Sequence, residues 1–297
     1  MNAMTPTRPV LRYLGGKWRL APWIVSFFPS HRVYVEPFGG AGSVLLRKDR
    51  SMGECYNDLD GEVVNLFRVL RDPQQSARLR EMIRLTPFAR EEFDSAYEVC
   101  EEPVERARRL VVRSYMGHGS SSAVSVRNTG FRASLVNRSG ALPAGEWPGL
   151  PDALERVTER LAGVLIENRP ALQVIDRYDA EDALIYLDPP YVHETRTPKR
   201  KGGKIAHAYR FEMTAEQHVE LLDRIVACRS AIVLSGYASD LYDDALSDWS
   251  RHEIATHADG ALDRIEVIWV NPHCAARLEA VRAPVTAQIS MFDVVTA

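Results

Sequence analysis

Residues 33–48, VYVEPFGGAGSVLLRK, followed by ECYNDLD at 54–60, constrain the fold of this chain more than any other stretch. VYVEPF reads as a short buried strand. The glycines then turn the chain, SVLLRK starts a helix, and ECYN is a second strand that runs into acids. Strand, glycine turn, helix, strand, acid is how a doubly wound α/β sheet opens. GVLIEN, ALIYLD, SAIVLSG and RIEVIWV supply four more apolar runs in the second half, spaced by helical patterns. One of those helices starts at Thr214, where Thr214 and Gln217 form a capping box.

Between the halves the character changes. Residues 72–160 are charge-rich and helical in pattern, with a polar loop of glycine and serine. TPFAREEFDSAYEVC is expected to start a helix at Thr86, with proline in its first turn, and PVERARRLVVRSYM gives another. The division this predicts is an α/β core over 1–71 and 161–275, a helical insertion over 72–160, and a tail over 276–297 without firm periodicity.

The chain has 297 residues, 45% hydrophobic and 26% charged, enough to bury a large core. No apolar run approaches the roughly 18 residues of a spanning helix. With no apolar secretory core near residue 1, a cytoplasmic protein without membrane attachment is the expectation. Cys55, Cys100, Cys228 and Cys274 are isolated, which suits reduced thiols rather than a disulfide frame or a metal site. The net charge of −3 does not suggest nucleic-acid binding, but its distribution does. Residues 106–145 hold no acid and include Arg113, Arg127, Arg132 and Arg138; a second basic run carries Lys199, Arg200, Lys201 and Lys204. Such patches can follow a phosphate backbone even on an acidic chain. A solvated loop and a helix face are the plainer explanation for either patch alone.

Four short stretches carry candidate chemistry. In EPFGGAGS, Glu36 to Ser43, a glycine turn brings backbone close to a ligand at a helix N-terminus. The spacing matches neither a dinucleotide fingerprint nor a phosphate loop. Asp58, about twenty residues on, is placed to accept from ribose hydroxyls or to cap the next helix. RYLGGKWRL presents Lys17 after a glycine pair, a cation suited to a ligand carboxylate. Finally, LDPPY places Asp188, Pro189, Pro190 and Tyr191 where a buried strand ends. A carboxylate and a proline-fixed carbonyl are two acceptors that suit an NH2 group, and the Tyr191 ring offers a stacking face for a planar base. His193, beside this motif, is more simply a flanking polar contact than a general base.

Together and in this order, GGK, EPFGGAGS, YNDLD and LDPPY resemble the DNA adenine methyltransferases of the Dam type, in the alpha order of motifs. The resemblance spans about Tyr13 to Asn271 and includes VVNLFRVLRD and IVLSGY, as in phage-type members. It implies a Rossmann-like methyltransferase sheet with a helical target-recognition insertion, and S-adenosylmethionine as methyl donor. It also implies transfer to the N6 amine of adenine in duplex DNA after base flipping. Methylation of cytosine N4 or of an RNA amine, and an inactive DNA-binding relative, are the alternatives the residues allow. Cofactor contacts carried over are Tyr13, Gly16, Lys17, Glu36, Pro37, Phe38, Gly39, Gly40, Gly42, Asp58 and Asp188. Asn168 stands where the family often has an acid against adenine, with Glu167 beside it, and Tyr13 replaces a tryptophan. No metal and no obligate protein partner is implied, although a cognate restriction enzyme fits the family.

Overall fold

The computed structural model describes residues 5–125, 127–135, 142–192, 200–201, 204–205, 210–257 and 263–282. Its centre is a seven-stranded sheet. In chain order the strands are β1 (Val33–Glu36), β2 (Gly53–Asn57), β3 (Leu165–Glu167), β4 (Ala183–Leu187), β7 (Ala231–Gly236), β8 (Ser250–His257) and β9 (Asp263–Val270). A separate two-stranded hairpin is formed by β5 (Arg200–Lys201) and β6 (Lys204–Ile205). The order across the main sheet is β3-β2-β1-β4-β7-β9-β8. The first five strands are parallel, whereas β9 runs antiparallel to both β7 and β8. Strand order reverses between β1 and β4, which opens a crevice at their carboxyl ends.

Side-chain alternation along the strands builds two cores. Tyr34, Tyr56, Leu184, Tyr186, Ala231, Val233, Ile268 and Val270 face one side, under α1 (Ala21–Val25), α2 (Ser43–Arg47), α3 (Gly61–Arg71), α4 (Pro73–Leu85), α5 (Arg90–Ser95), α6 (Pro103–Met116) and α7 (Leu150–Leu161). Val35, Cys55, Ile185, Leu187, Ile232, Leu234, Val267 and Trp269 face the other, against α8 (Ala171–Tyr178), α9 (Ala215–Val226) and α10 (Asp240–Ala245). Both faces are covered, so the parallel strands read as continuous apolar runs.

Helix α3 shows how local chemistry sets an element. Asp60 is its N-cap, accepting from the Glu62 amide at 3.0 Å. Val63, Val64, Leu66, Phe67, Val69 and Leu70 form its buried face. Full burial of each is worth roughly 1.5–3 kcal/mol. The segment 72–160 packs on that helix: Leu79, Ile83, Phe93, Leu110 and Leu154 belong to the same cluster as Tyr34 and Leu184. The insertion therefore has no core of its own.

Two expected boundaries differ. Thr86 ends α4 rather than starting a helix; its amide and hydroxyl both donate to the Met82 carbonyl, and Pro87 disfavours helical geometry at the preceding residue. The next helix, α5, starts at Arg90. The expected tail from 276 begins inside α11 (Pro272–Arg282), which Asn271 starts by accepting from the Cys274 amide at 2.9 Å; residues 283–297 lie outside the described residues. Thr214 and Gln217 do form the reciprocal capping box of α9. Among the described residues no helix is long and apolar enough to cross a membrane.

Candidate active site

Carboxyl ends of β1, β2 and β4 deliver Glu36, Asp58 and Asp188 to one cleft at the switch point. Its walls also include Tyr13, Gly16, Lys17, Pro37, Phe38, Gly39, Gly40 and Pro190. Most of the residues singled out in the sequence as cofactor contacts are thus brought together from separate parts of the chain.

The glycine turn is shaped by what surrounds it. A Cβ on Gly39 would run into the Tyr56 ring, and one on Gly40, at φ +47°, would lie 2.9 Å from Cε1 of Tyr13. The two rings thus take the room that a side chain at either position would need. The turn is tied to β2 by Gly39 N donating to Asn57 O at 2.8 Å and by Tyr56 Oη donating to Gly40 O at 2.6 Å. Gly42 serves differently from the expectation of a cofactor contact. At φ +62° it begins α2 with Phe67 Cζ only 2.8 Å from where its Cβ would stand, and it does not line the cleft.

Asp58 Oδ2 accepts from Gly40 N at 2.8 Å, and Oδ1 from Asp60 N at 2.7 Å. Capping of α3 falls to Asp60, because Asp58 is already used to join the two turns. Burial raises the Asp58 pKa to about 6, against the pull of those amides. Glu36 accepts from Tyr34 Oη at 2.7 Å and from Leu45 N at 3.0 Å, and burial, with Asp188 nearby, raises its pKa to about 8. It is a largely protonated acid near neutrality.

Asn168 is not part of the cleft wall. Its amide donates to the carbonyls of Asp58 and Leu59 at 2.7 and 3.2 Å, so its donors are spent on the loop that carries Asp58. Glu167 pairs with Arg169 at 3.2 Å. Residues the sequence did not single out do line the cleft: Arg210, Phe211, Glu212 and Met213, just before α9, and Asp60. Arg210 pairs with Asp60 Oδ1 at 2.8 Å, while buried Asp60 Oδ2 has no hydrogen-bond partner among the described residues.

At the β4 end, one oxygen of Asp188 is held twice. Lys17 Nζ lies 2.9 Å from Oδ1, and Ser235 Oγ donates to the same atom at 3.0 Å. Lys17, expected to meet a ligand carboxylate, is turned inward: it is 5% exposed and also donates to Tyr191 Oη at 2.5 Å and Gly15 O at 3.1 Å. Tyr191 departs from an open stacking face for the same reason. Its hydroxyl donates to Glu266 at 2.5 Å, Lys17 lies 4.8 Å from its ring centre, and the Tyr237 ring meets it edge-on at 4.3 Å. Tyr191 and Tyr237 wall a small crevice with Val192, Ser235, Gly236 and Tyr242. Pro189 lines neither hollow.

The arginines divide into two kinds. Arg113 is buried; it donates to Ala96 O at 2.8 Å and pairs with Glu62 at 3.3 Å, which corrects its assignment to a DNA surface. Arg132 is likewise turned inward, donating to Tyr115 O at 3.0 Å. Arg113 is drawn in by acceptors outside the acid-free stretch, whereas Arg132 is held by the Tyr115 carbonyl within it and lies 3.9 Å from Glu146 just beyond it. Arg127 is exposed. Arg200, Lys201 and Lys204 lie on the β5–β6 hairpin, and Arg138, His193 and Lys199 lie outside the described residues.

Comparison with known proteins agrees with this layout. Residues 13–120, from the Tyr13 turn through α6, match the family described as D12 class N6 adenine-specific DNA methyltransferase. Curated relatives align over most of both chains. The DNA adenine methylase of Salmonella typhi is 25% identical over 251 residues, covering 80% of this chain and 84% of the relative. That of Serratia marcescens is 25% identical over 267 residues, covering 84% and 89%. The Escherichia coli (strain K12) DNA adenine methylase is 23% identical over 243 residues, covering 79% and 82%. The sheet, with its antiparallel final strands, and the collinear motifs agree with these matches: the chain is similar to the D12 class of N6 adenine-specific DNA methyltransferases.

Proposed function

We propose that this chain methylates the N6 amine of adenine in duplex DNA with S-adenosylmethionine as donor, the base being turned out of the helix to reach Asp188. The observation that carries this reading is the division of labour at Asp188. Oδ1 is clamped by Lys17 and Ser235, while the side chain lines the cleft and keeps 19% exposure. One oriented acceptor facing a cleft suits an exocyclic amine.

The residues fit the donor. Gly39 and Gly40 line the cleft with bare backbone, Tyr13 lies across Gly40, and the Asp60 oxygen without a partner among the described residues belongs to a residue that lines the same cleft as Asp58. Tyr13, Gly16, Glu36, Pro37, Phe38, Gly39, Gly40 and Asp58 would hold it, with Asp58 on the ribose side. When bound, S-adenosylmethionine supplies a methyl group already activated by its sulfonium.

Asp188, which lines the cleft, would accept a hydrogen bond from the amine and so orient its nitrogen; Pro189, which lines neither hollow, would serve by stiffening the chain that carries Asp188. Fixing that direction is the main contribution of the chain, because proximity and alignment account for most of the acceleration when the transferred group is preactivated. Tyr191 and Tyr237 flank the base on the crevice side. Arg127 and the β5–β6 hairpin, with Lys199, contribute cations to the phosphates, and residues 72–160 read the target.

Expression in a bacterial strain lacking adenine methylation, with direct long-read sequencing of its DNA, tests the whole reading. N6-methyladenine at a recurring short sequence is expected. Unmodified adenines, or methyl groups on cytosine, would overturn it.

A further inference from the structure

Glu266 is a carboxylate in the middle of β9, and it is 4% exposed. Alternation puts it on the same face as Ile268 and Val270, both in the core. A buried acid persists where it is paired and hydrogen-bonded. Its partners are two residues already at the site: Tyr191 Oη donates to Oε1 at 2.5 Å, and Lys17 Nζ lies 3.3 Å from the same oxygen. Lys17 therefore sits between two carboxylates, Asp188 and Glu266, with the Tyr191 hydroxyl beside it.

We infer that Glu266 is a positioning residue for methyl transfer, sharing the Lys17 ammonium so that Asp188 is oriented by the cation without being captured by it. This rests on the reading of Asp188 given above. With a single anion in reach, the ammonium would settle onto Asp188 alone. It would then compete with the target amine for that carboxylate and weaken it as an acceptor. A second anion balances the pull. Glu266 also fixes the Tyr191 hydroxyl, and with it the ring beside the crevice.

The test compares the full-length wild type with Glu266→Gln, which keeps an acceptor for Tyr191 and removes the charge. Single-turnover transfer of tritiated methyl from S-adenosylmethionine to DNA is measured beside cofactor affinity by calorimetry. The rate is expected to fall at least about tenfold, with cofactor Kd unchanged within about twofold. In a Lys17→Met background the same substitution should change the rate less than about twofold, since the effect passes through Lys17. A wild-type rate for Glu266→Gln, or the same tenfold loss in both backgrounds, would overturn the inference. Should Glu266→Gln not fold, Glu266→Asp keeps the charge but withdraws it; the same rate loss at unchanged affinity is expected, and a wild-type rate overturns. Failure is separable from failure of the parent reading. If the wild type transfers no methyl, or Asp188→Ala transfers it normally, the reading of Asp188 falls; if Asp188→Ala is inactive and Glu266→Gln is normal, only the role of Glu266 falls.

Discussion

Lys17 and Asp188 meet at 2.9 Å, Nζ to Oδ1. Removing Asp188 does not strand the lysine, because Glu266 stays 3.3 Å away and Tyr191 keeps its hydrogen bond. Asp188→Ala is therefore expected to fold while losing methyl transfer by about three orders of magnitude, the scale on which orientation and hydrogen bonding to a reacting group act. Radiolabelled transfer assays and circular dichroism together check this; near-normal turnover would remove Asp188 from the mechanism.

Gly39 touches the Tyr56 ring, which stacks on Phe67 with centroids 4.2 Å apart. A methyl group there must push a packed ring rather than a flexible side chain. Gly39→Ala should destabilise the chain by about 1–3 kcal/mol through overpacking. It should also weaken S-adenosylmethionine binding, since the turn shifts with the ring. Urea midpoints and calorimetry measure the two effects, and an unperturbed midpoint would show that the turn has slack.

The two kinds of arginine give opposite results. Arg113→Ala removes a buried cation from Glu62 and the Ala96 carbonyl, so a loss of stability of about 3 kcal/mol is expected, with no change in the salt dependence of DNA binding. Arg127→Ala should leave stability within about 0.5 kcal/mol. It should lower the slope of log affinity against log salt by about 0.9, the value for one phosphate contact. Titrations at several salt concentrations distinguish them; equal slopes for Arg127→Ala and wild type would take it off the DNA.

Glu36 and Asp58 make the stability of the unliganded chain depend on pH. Both have folded pKa values above their usual ones, Glu36 at about 8 and Asp58 at about 6, with burial the main cause in each. The folded state then holds protons that the unfolded chain has released. Their contribution to stability is greatest below about pH 4 and falls as pH rises, through about 6 for Asp58 and about 8 for Glu36. Glu36→Gln should flatten the fall between pH 6 and 8, read as denaturant midpoints; an unchanged slope would place the proton elsewhere.

How much of this could be read in sequence depends on how local the cause is. VYVEPFGGAGS, ECYNDLD and LDPPY each state their own geometry: an apolar run ends a strand, glycines turn it, prolines stop it. They therefore located Glu36, Asp58 and Asp188 on one sheet edge. Glu266 was legible in part, since an acid alternating with Ile268 and Val270 must be buried, but nothing nearby in sequence names its partners. Arg113 and Arg132 were misplaced for the converse reason. Their acceptors, Ala96 and Glu62 for one and Tyr115 for the other, become neighbours through helix packing in the first case and through the loop at 131–132 folding back on the end of α6 in the second, and local charge density does not reveal that.

The sequence by itself determined the strand order's raw material, the glycine turn and the three acids at strand ends, because each follows from backbone sterics and apolar periodicity within a few residues. Only the tertiary structure decided that Lys17 turns inward between Asp188 and Glu266, that Asn168 braces the Asp58 loop, and that the segment 72–160 shares the sheet's core. Those outcomes depend on which distant charges and surfaces meet once the sheet has formed, where the cost of burying an unpaired polar group selects the partner.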